Sequence, residues 1–161
     1  MKRAILASWL LALILAAPVT ADTRWPDQGW QVTPTSLAYD ALLEALSEAV
    51  EAEGMFVVTE AGPTEAAANR GVTIPGNRVV GVFRNDYAVR ILRLSVPAMI
   101  EAPMRFYVTE NDDDSATLSW KTPSHLLAPY ADEAGDELDA VARELDALFV
   151  AIAKRVAETS K

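Results

Sequence analysis

The sequence predicts an α+β domain, a mainly antiparallel sheet with helices packed on one face. Three observations carry that expectation. A long segment with helical apolar spacing stands near each end of the chain, over residues 36–54 and 135–157. Short β-branched or alternating runs lie between them. Two of those runs are joined by a brief polar stretch, which reads as a hairpin.

Ahead of the domain stands a targeting pattern. Met1-Lys2-Arg3 is a positive start, residues 4–17 are apolar apart from Ser8, and Pro18 breaks the run. Val19-Thr20-Ala21 then offers small or slim residues where a signal peptidase reads, so cleavage is expected after Ala21. The apolar run falls short of the roughly 20 residues a spanning helix needs. Residues 1–21 are therefore expected to be a signal peptide, and the chain to be exported, periplasmic or extracellular, with no membrane contact after cleavage. Residues 22–34 form a lead with a short first strand at 29–33, and 35–158 a single α+β domain.

From residue 36 the spacing of Tyr39, Leu42, Leu43, Leu46, Ala49 and Val50 puts one apolar face on a helix, with Glu44, Glu48 and Glu51 off it. Gly54 is the expected stop, because glycine accepts the left-handed conformation that ends helices. Residues 55–59 (MFVVT) are too short and too β-branched to continue it and predict a strand. The alanine-rich residues 63–70 predict a short helix ending at Gly71, and Pro75-Gly76-Asn77 a turn. Residues 79–83 (VVGVF) predict a strand covered on both faces, since they contain no polar side chain.

Arg84-Asn85-Asp86 reads as the turn into a helix at 87–94, with Asn85 or Asp86 as its cap. Ala88, Ile91, Leu92 and Ser95 are expected to face inward, leaving Arg90 and Arg93 more exposed. Met104, Phe106 and Val108 alternate with Arg105, Tyr107 and Thr109; Ala116, Leu118 and Trp120 alternate with Thr117, Ser119 and Lys121. Both runs predict half-buried strands, joined by the polar tip 111–114. In the last helix Leu138, Val141, Leu145, Leu148, Phe149, Ile152 and Val156 form the core stripe, with Lys154 and Arg155 toward the end the dipole favours for cations. The runs FVVTE at 56–60 and FYVTE at 106–110 are nearly alike, as strands drawing on the same few residue types often are.

Composition excludes several chemistries. The chain has no cysteine, so thiol catalysis, disulfides and cysteine-based metal sites are absent and burial alone must hold the fold. Its formal net charge is −9; removal of residues 1–21 takes away two basic residues and leaves 12 against 23 acidic, or −11. Such a chain repels phosphate backbones, and no basic patch with interleaved aromatics appears, so nucleic acid is not an expected partner.

The segments "GMFVVTE", "NRVVGVFRNDYAVRIL", "EAPMRFYVTEN" and "TPSHLLAPY", in that order after a glycine-ended helix, resemble the family known as domain of unknown function 302 over about residues 36–158. The family has Asn-Pro where this chain has Asn85-Asp86, and Leu-Pro where it has Ala102-Pro103. The resemblance implies a small fold of the TATA-binding-protein-like type and no particular activity.

Among chemistry-bearing residues, Arg84, Asn85, Arg90 and Arg93 are the candidate ligand-binding set, three guanidiniums near a helix start that suit an anion. The competing reading is a capped turn whose arginines pair with neighbouring carboxylates. His125, expected in a loop near a proline-punctuated turn, is the only histidine and cannot build a multi-histidine metal site. With Met99 and Met104 it would make a soft copper(I) set, but methionines are ordinarily core filler. Asp132, Glu133, Ser124 and Tyr130 are its candidate catalytic neighbours, without a nucleophile-elbow pattern. The acidic tip 111–114 lacks the alternate spacing and glycine of a calcium loop. No catalytic residue, metal site or cofactor is therefore expected. The function expected is a ligand-binding or protein-interaction module, with a small anion, a protein or a second copy of the chain as partner. The alternative is a small hydrolase or isomerase acting on an anion through arginines and a carboxylate such as Glu60 or Glu110.

Overall fold

The computed structural model describes residues 24–159. The expected signal peptide, 1–21, lies outside them. Five strands and six helices follow in the order β1 (Trp30–Pro34), α1 (Tyr39–Ala52), β2 (Phe56–Ala61), α2 (Thr64–Ala68), β3 (Asn77–Phe83), α3 (Asn85–Leu94), β4 (Met104–Glu110), β5 (Ala116–Lys121), α4 (Pro123–Leu127), α5 (Ala131–Ala134) and α6 (Asp136–Thr159). The strands form one antiparallel sheet in the order β1-β5-β4-β3-β2. Helices pack on one side of it, which gives the α+β fold that the patterning predicts.

The core lies between the sheet and the two long helices. Leu42, Leu46, Ala49 and Val50 of α1 and Leu138, Val141, Leu145, Phe149, Ile152 and Val156 of α6 are buried there against Val80, Val82, Phe106, Val108, Leu118 and Trp120. The Phe106 ring stacks on Phe149 at 4.5 Å and meets Trp120 edge-on at 5.5 Å. Arg155 pairs with Glu53, tying α6 to the end of α1. Gly54, with φ at +72°, ends α1 as glycine's freedom allows. Among the described residues no helix is long and apolar enough to cross a membrane.

Four local expectations are corrected. First, α3 begins two residues early. Arg84 is the extended residue before it and no side chain caps it, so Asn85 and Asp86 are its first two helical residues. Neither Asn85 nor Asp86, the two expected caps, stands at the cap position, and the Asp86 carboxylate is engaged by the Arg84 guanidinium. Second, Ala88, Ile91 and Ser95 do face inward, but Leu92 is 48 % exposed because the buried stripe of α3 is narrow. Third, β3 is not covered by helices on both faces. Thr59 and Pro103 stand over Gly81 on the far side, and Val79 and Phe83 remain half-buried. Fourth, His125 belongs to α4 rather than to a loop; its amide donates to Thr122 Oγ1 at 3.3 Å.

Candidate functional site

The candidate residues at the start of α3 fall into two groups. Arg84 and Arg90 both lie over the Tyr87 ring, their guanidinium carbons 4.3 and 5.4 Å from its centroid. Asn85 is exposed in the first turn, and Arg93 is exposed in the last turn with no ion pair among the described residues. Arg84 donates through Nε and Nη2 to the two Asp86 carboxylate oxygens at 2.8 and 3.0 Å. Arg90 makes the same fork to Glu144 on α6, at 2.6 and 2.9 Å. Hydrogen bonding from Arg84 holds the Asp86 carboxyl below its usual range, and that from Arg90 does the same for Glu144. Burial raises the Tyr87 phenol. Each of the two guanidiniums is thus neutralised by its own carboxylate. The adjoining cavity, lined by Tyr87, Phe83 and Met104 among others, holds only about 30 Å³.

The two carboxylates singled out for catalysis lie at the opposite end of β3. Glu60 pairs with Arg78 at 3.0 Å, and Arg78 also reaches Glu65 at 2.8 Å. The Glu110 carboxylate accepts from the Gly76 amide at 2.5 Å. Both acids fasten the entry into β3. The His125 ring lies against Gly29, so closely that a Cβ there would come within 2.2 Å of Cγ. Met104 is in the core and Met99 packs against it. Among the described residues no group of three His, Asp or Glu is placed to hold a metal.

The larger concavity is on the face of the sheet that carries no helix. It encloses about 420 Å³, and Trp30, Asn77, Val79, Arg105, Tyr107 and Lys121 line it from β1, β3, β4 and β5. Register explains the gathering. Trp30 pairs with Lys121, Val79 with Tyr107, and Gly81 with Arg105. The pairing of Phe106 with Trp120 sets Arg105 beside Lys121 one step further on. Aromatic walls come from Trp30 and Tyr107, with Trp25 packed on both at 5.3 and 6.0 Å. Asn77 Nδ2 donates to the Tyr107 hydroxyl at 2.5 Å. Lys121 Nζ stands 5.6 Å from the Trp30 ring centre. Neither Lys121 nor Arg105 has a carboxylate at ion-pair distance among the described residues.

Sequence reasoning did not single out this groove. The outward alternation of Arg105, Tyr107 and Lys121 was legible, but which strands stand side by side was not. The strand order alone brings Trp30, Lys121, Arg105 and Val79 together.

A five-stranded antiparallel sheet with one helical face defines a small α+β domain. The family described as "Domain of unknown function DUF302" matches residues 31–152, and the chain belongs to that family. A solved relative, the crystal structure of an uncharacterized conserved protein DUF302 from Bacillus stearothermophilus, superposes with a TM-score of 0.71 at 17% identity, over 80% of this chain and 98% of that one. That likeness concerns the fold. No curated protein matches this chain.

Proposed function

We propose that this chain is an exported, non-catalytic binding module that takes a small anionic ligand on the helix-free face of its sheet. One observation carries the reading. In a chain of net charge −9, two cations stand side by side on adjacent strands, exposed and without a carboxylate at ion-pair distance among the described residues, at the edge of a 420 Å³ groove. Like charges directly across an antiparallel pair destabilise a sheet, so an anion between them removes a standing repulsion. The groove lining holds no histidine, carboxylate or serine, which supports binding without turnover. Export rests on the pattern of residues 1–21, and nucleic acid is disfavoured by the charge.

Native mass spectrometry of the protein from its host tests both halves. The chain is expected to begin at Asp22 and to carry a small anion that Arg105→Gln with Lys121→Gln loses. A full-length chain in the membrane fraction overturns export, and a ligand retained by the double variant overturns the site.

The second reading places an anion at Arg84, Asn85, Arg90 and Arg93, or a hydrolase or isomerase site using those arginines with a carboxylate. It is favoured by the two guanidiniums over one phenol ring. It requires Asp86 and Glu144 to release their arginines, and for that reason it ranks second. Anion binding lost in Arg84→Ala with Arg90→Ala, and retained in the Arg105 and Lys121 variants, would reverse the order.

A further inference from the structure

We infer that the ligand of the helix-free groove is a flat, aromatic carboxylate of one or two rings, an inference that rests on the reading above. The groove is chemically divided. One part holds Arg105 and Lys121. The remainder is walled by the Trp30 and Tyr107 rings and the Val79 side chain, over a floor of Phe106 and Trp120 backbone, whose rings turn to the helical face. Among its remaining polar side-chain groups, Asn77 Nδ2 donates to the Tyr107 hydroxyl.

A bare inorganic anion would occupy the cationic part and leave the aromatic walls facing water. A purely apolar molecule would leave both cations unused. Only a molecule with both parts uses the whole lining. The guanidinium of Arg105 offers a planar fork that matches a carboxylate, while Lys121 supplies a point charge from the next strand. Flatness follows from the walls, since indole and phenol rings pack best edge-on or offset against another ring. Size follows from the volume: a 420 Å³ groove lies toward the small end of the roughly 300–1,000 Å³ typical of ligand sites, room for one or two rings. Trp25, outside the lining, packs on the Trp30 and Tyr107 rings.

The test uses the mature protein and a panel of one- and two-ring arylcarboxylates, 2-naphthoate among them, against 2-naphthalenemethanol, acetate and inorganic phosphate. Binding is read by shifts of the Trp30 indole N–H and the Val79 methyls in NMR titrations. At least one arylcarboxylate is expected to move both signals, with its matched alcohol and acetate at least tenfold weaker. Arg105→Gln with Lys121→Gln is expected to weaken it at least tenfold while the melting temperature stays within a few degrees. No shift from any arylcarboxylate at millimolar concentration overturns the inference, as does equal binding of acid and alcohol. Acetate or phosphate binding as tightly as the aryl acids, and lost in the double variant, overturns the aromatic part and leaves the anion site standing. Binding of every probe unchanged by the double variant overturns both.

Discussion

Two pentapeptides of this chain, Phe56-Val57-Val58-Thr59-Glu60 and Phe106-Tyr107-Val108-Thr109-Glu110, differ at one position and meet opposite fates. The first belongs to an edge strand and the second to the middle strand of the sheet. Phe106 pairs with Val80 and Trp120 on the helical face and is fully buried. Phe56 pairs with Phe83 on the other face and is 63 % exposed. The register then shifts between Val57 and Thr59, and Val58 has no partner on β3. That extra residue brings the strands back into phase, so Thr59 and Thr109 both lie on the helix-free face. Local composition thus sets that a strand forms, while strand order and one bulge set which side chain meets the core.

The largest expected effect separates the two phenylalanines. Phe106→Ala removes a ring stacked on Phe149 and edge-on to Trp120, and should cost about 3–5 kcal/mol. Phe56→Ala should stay within about 0.5 kcal/mol, as exposed positions do. Urea denaturation of the two variants checks the difference, and equal costs would break the comparison.

The bulge is tested at Gly81, where β2 and β4 both meet β3. An added Cβ would come within 2.1 Å of Thr59 Oγ1 and 3.1 Å of Pro103 Cγ. Gly81→Ala should cost about 1–3 kcal/mol through overpacking alone. Thr59→Ala removes the nearer atom, so the double variant should recover about 1 kcal/mol relative to the sum of the singles. Strict additivity in a denaturation cycle would show that Thr59 does not sit over Gly81.

These outcomes mark how far the sequence could be read. Apolar spacing revealed α1, α6 and the β4–β5 hairpin, because each is decided by neighbours within a few residues. Val58 as a bulge was illegible, because it is defined by the partner strand. The helix-free groove was illegible for the same reason, since Trp30 reaches Lys121 across some ninety residues of intervening chain. At α3 the turn was legible and its cap was not. Asp86 has two uses for its carboxylate, amide capping and the Arg84 fork, and the guanidinium wins.

Arginine repeats the lesson of the phenylalanines. Arg84 and Arg90 hold a carboxylate each, whereas Arg105 stands beside Lys121 with none among the described residues. The pairing should be visible in acid. The Asp86 and Glu144 carboxyls are held below their ordinary range by hydrogen bonds from Arg84 and Arg90. A group whose folded pKa is depressed adds stability above its unfolded pKa and loses it as pH falls through the folded one. The melting-temperature advantage of the parent over Asp86→Asn with Glu144→Gln should thus be fully present at about pH 6 and decline progressively as pH falls below about 4. Both side chains are well exposed, which keeps the advantage small. An advantage that persists undiminished at about pH 3 would show that the forks do not carry it.

The smallest expected effect has the opposite sign. Arg105 faces Lys121 across adjacent antiparallel strands, makes no ion pair or ring contact among the described residues, and is exposed. Removing its charge therefore relieves a repulsion and breaks nothing. Arg105→Gln should raise the stability of the ligand-free protein by a few tenths of a kcal/mol, about the size of a cross-strand charge effect. Lys121→Gln should instead lose a few tenths, because it also gives up the contact with the Trp30 ring, worth about 0.5–1 kcal/mol at an exposed site and so more than the relieved repulsion. The gain at Arg105 should shrink in about 1 M salt, where the screening length falls to about 3 Å. Urea curves at low and high salt measure both. A loss of stability at Arg105 in low salt would mean that the guanidinium is already paired, and the groove would then stand no further from neutrality than the turn at Arg84.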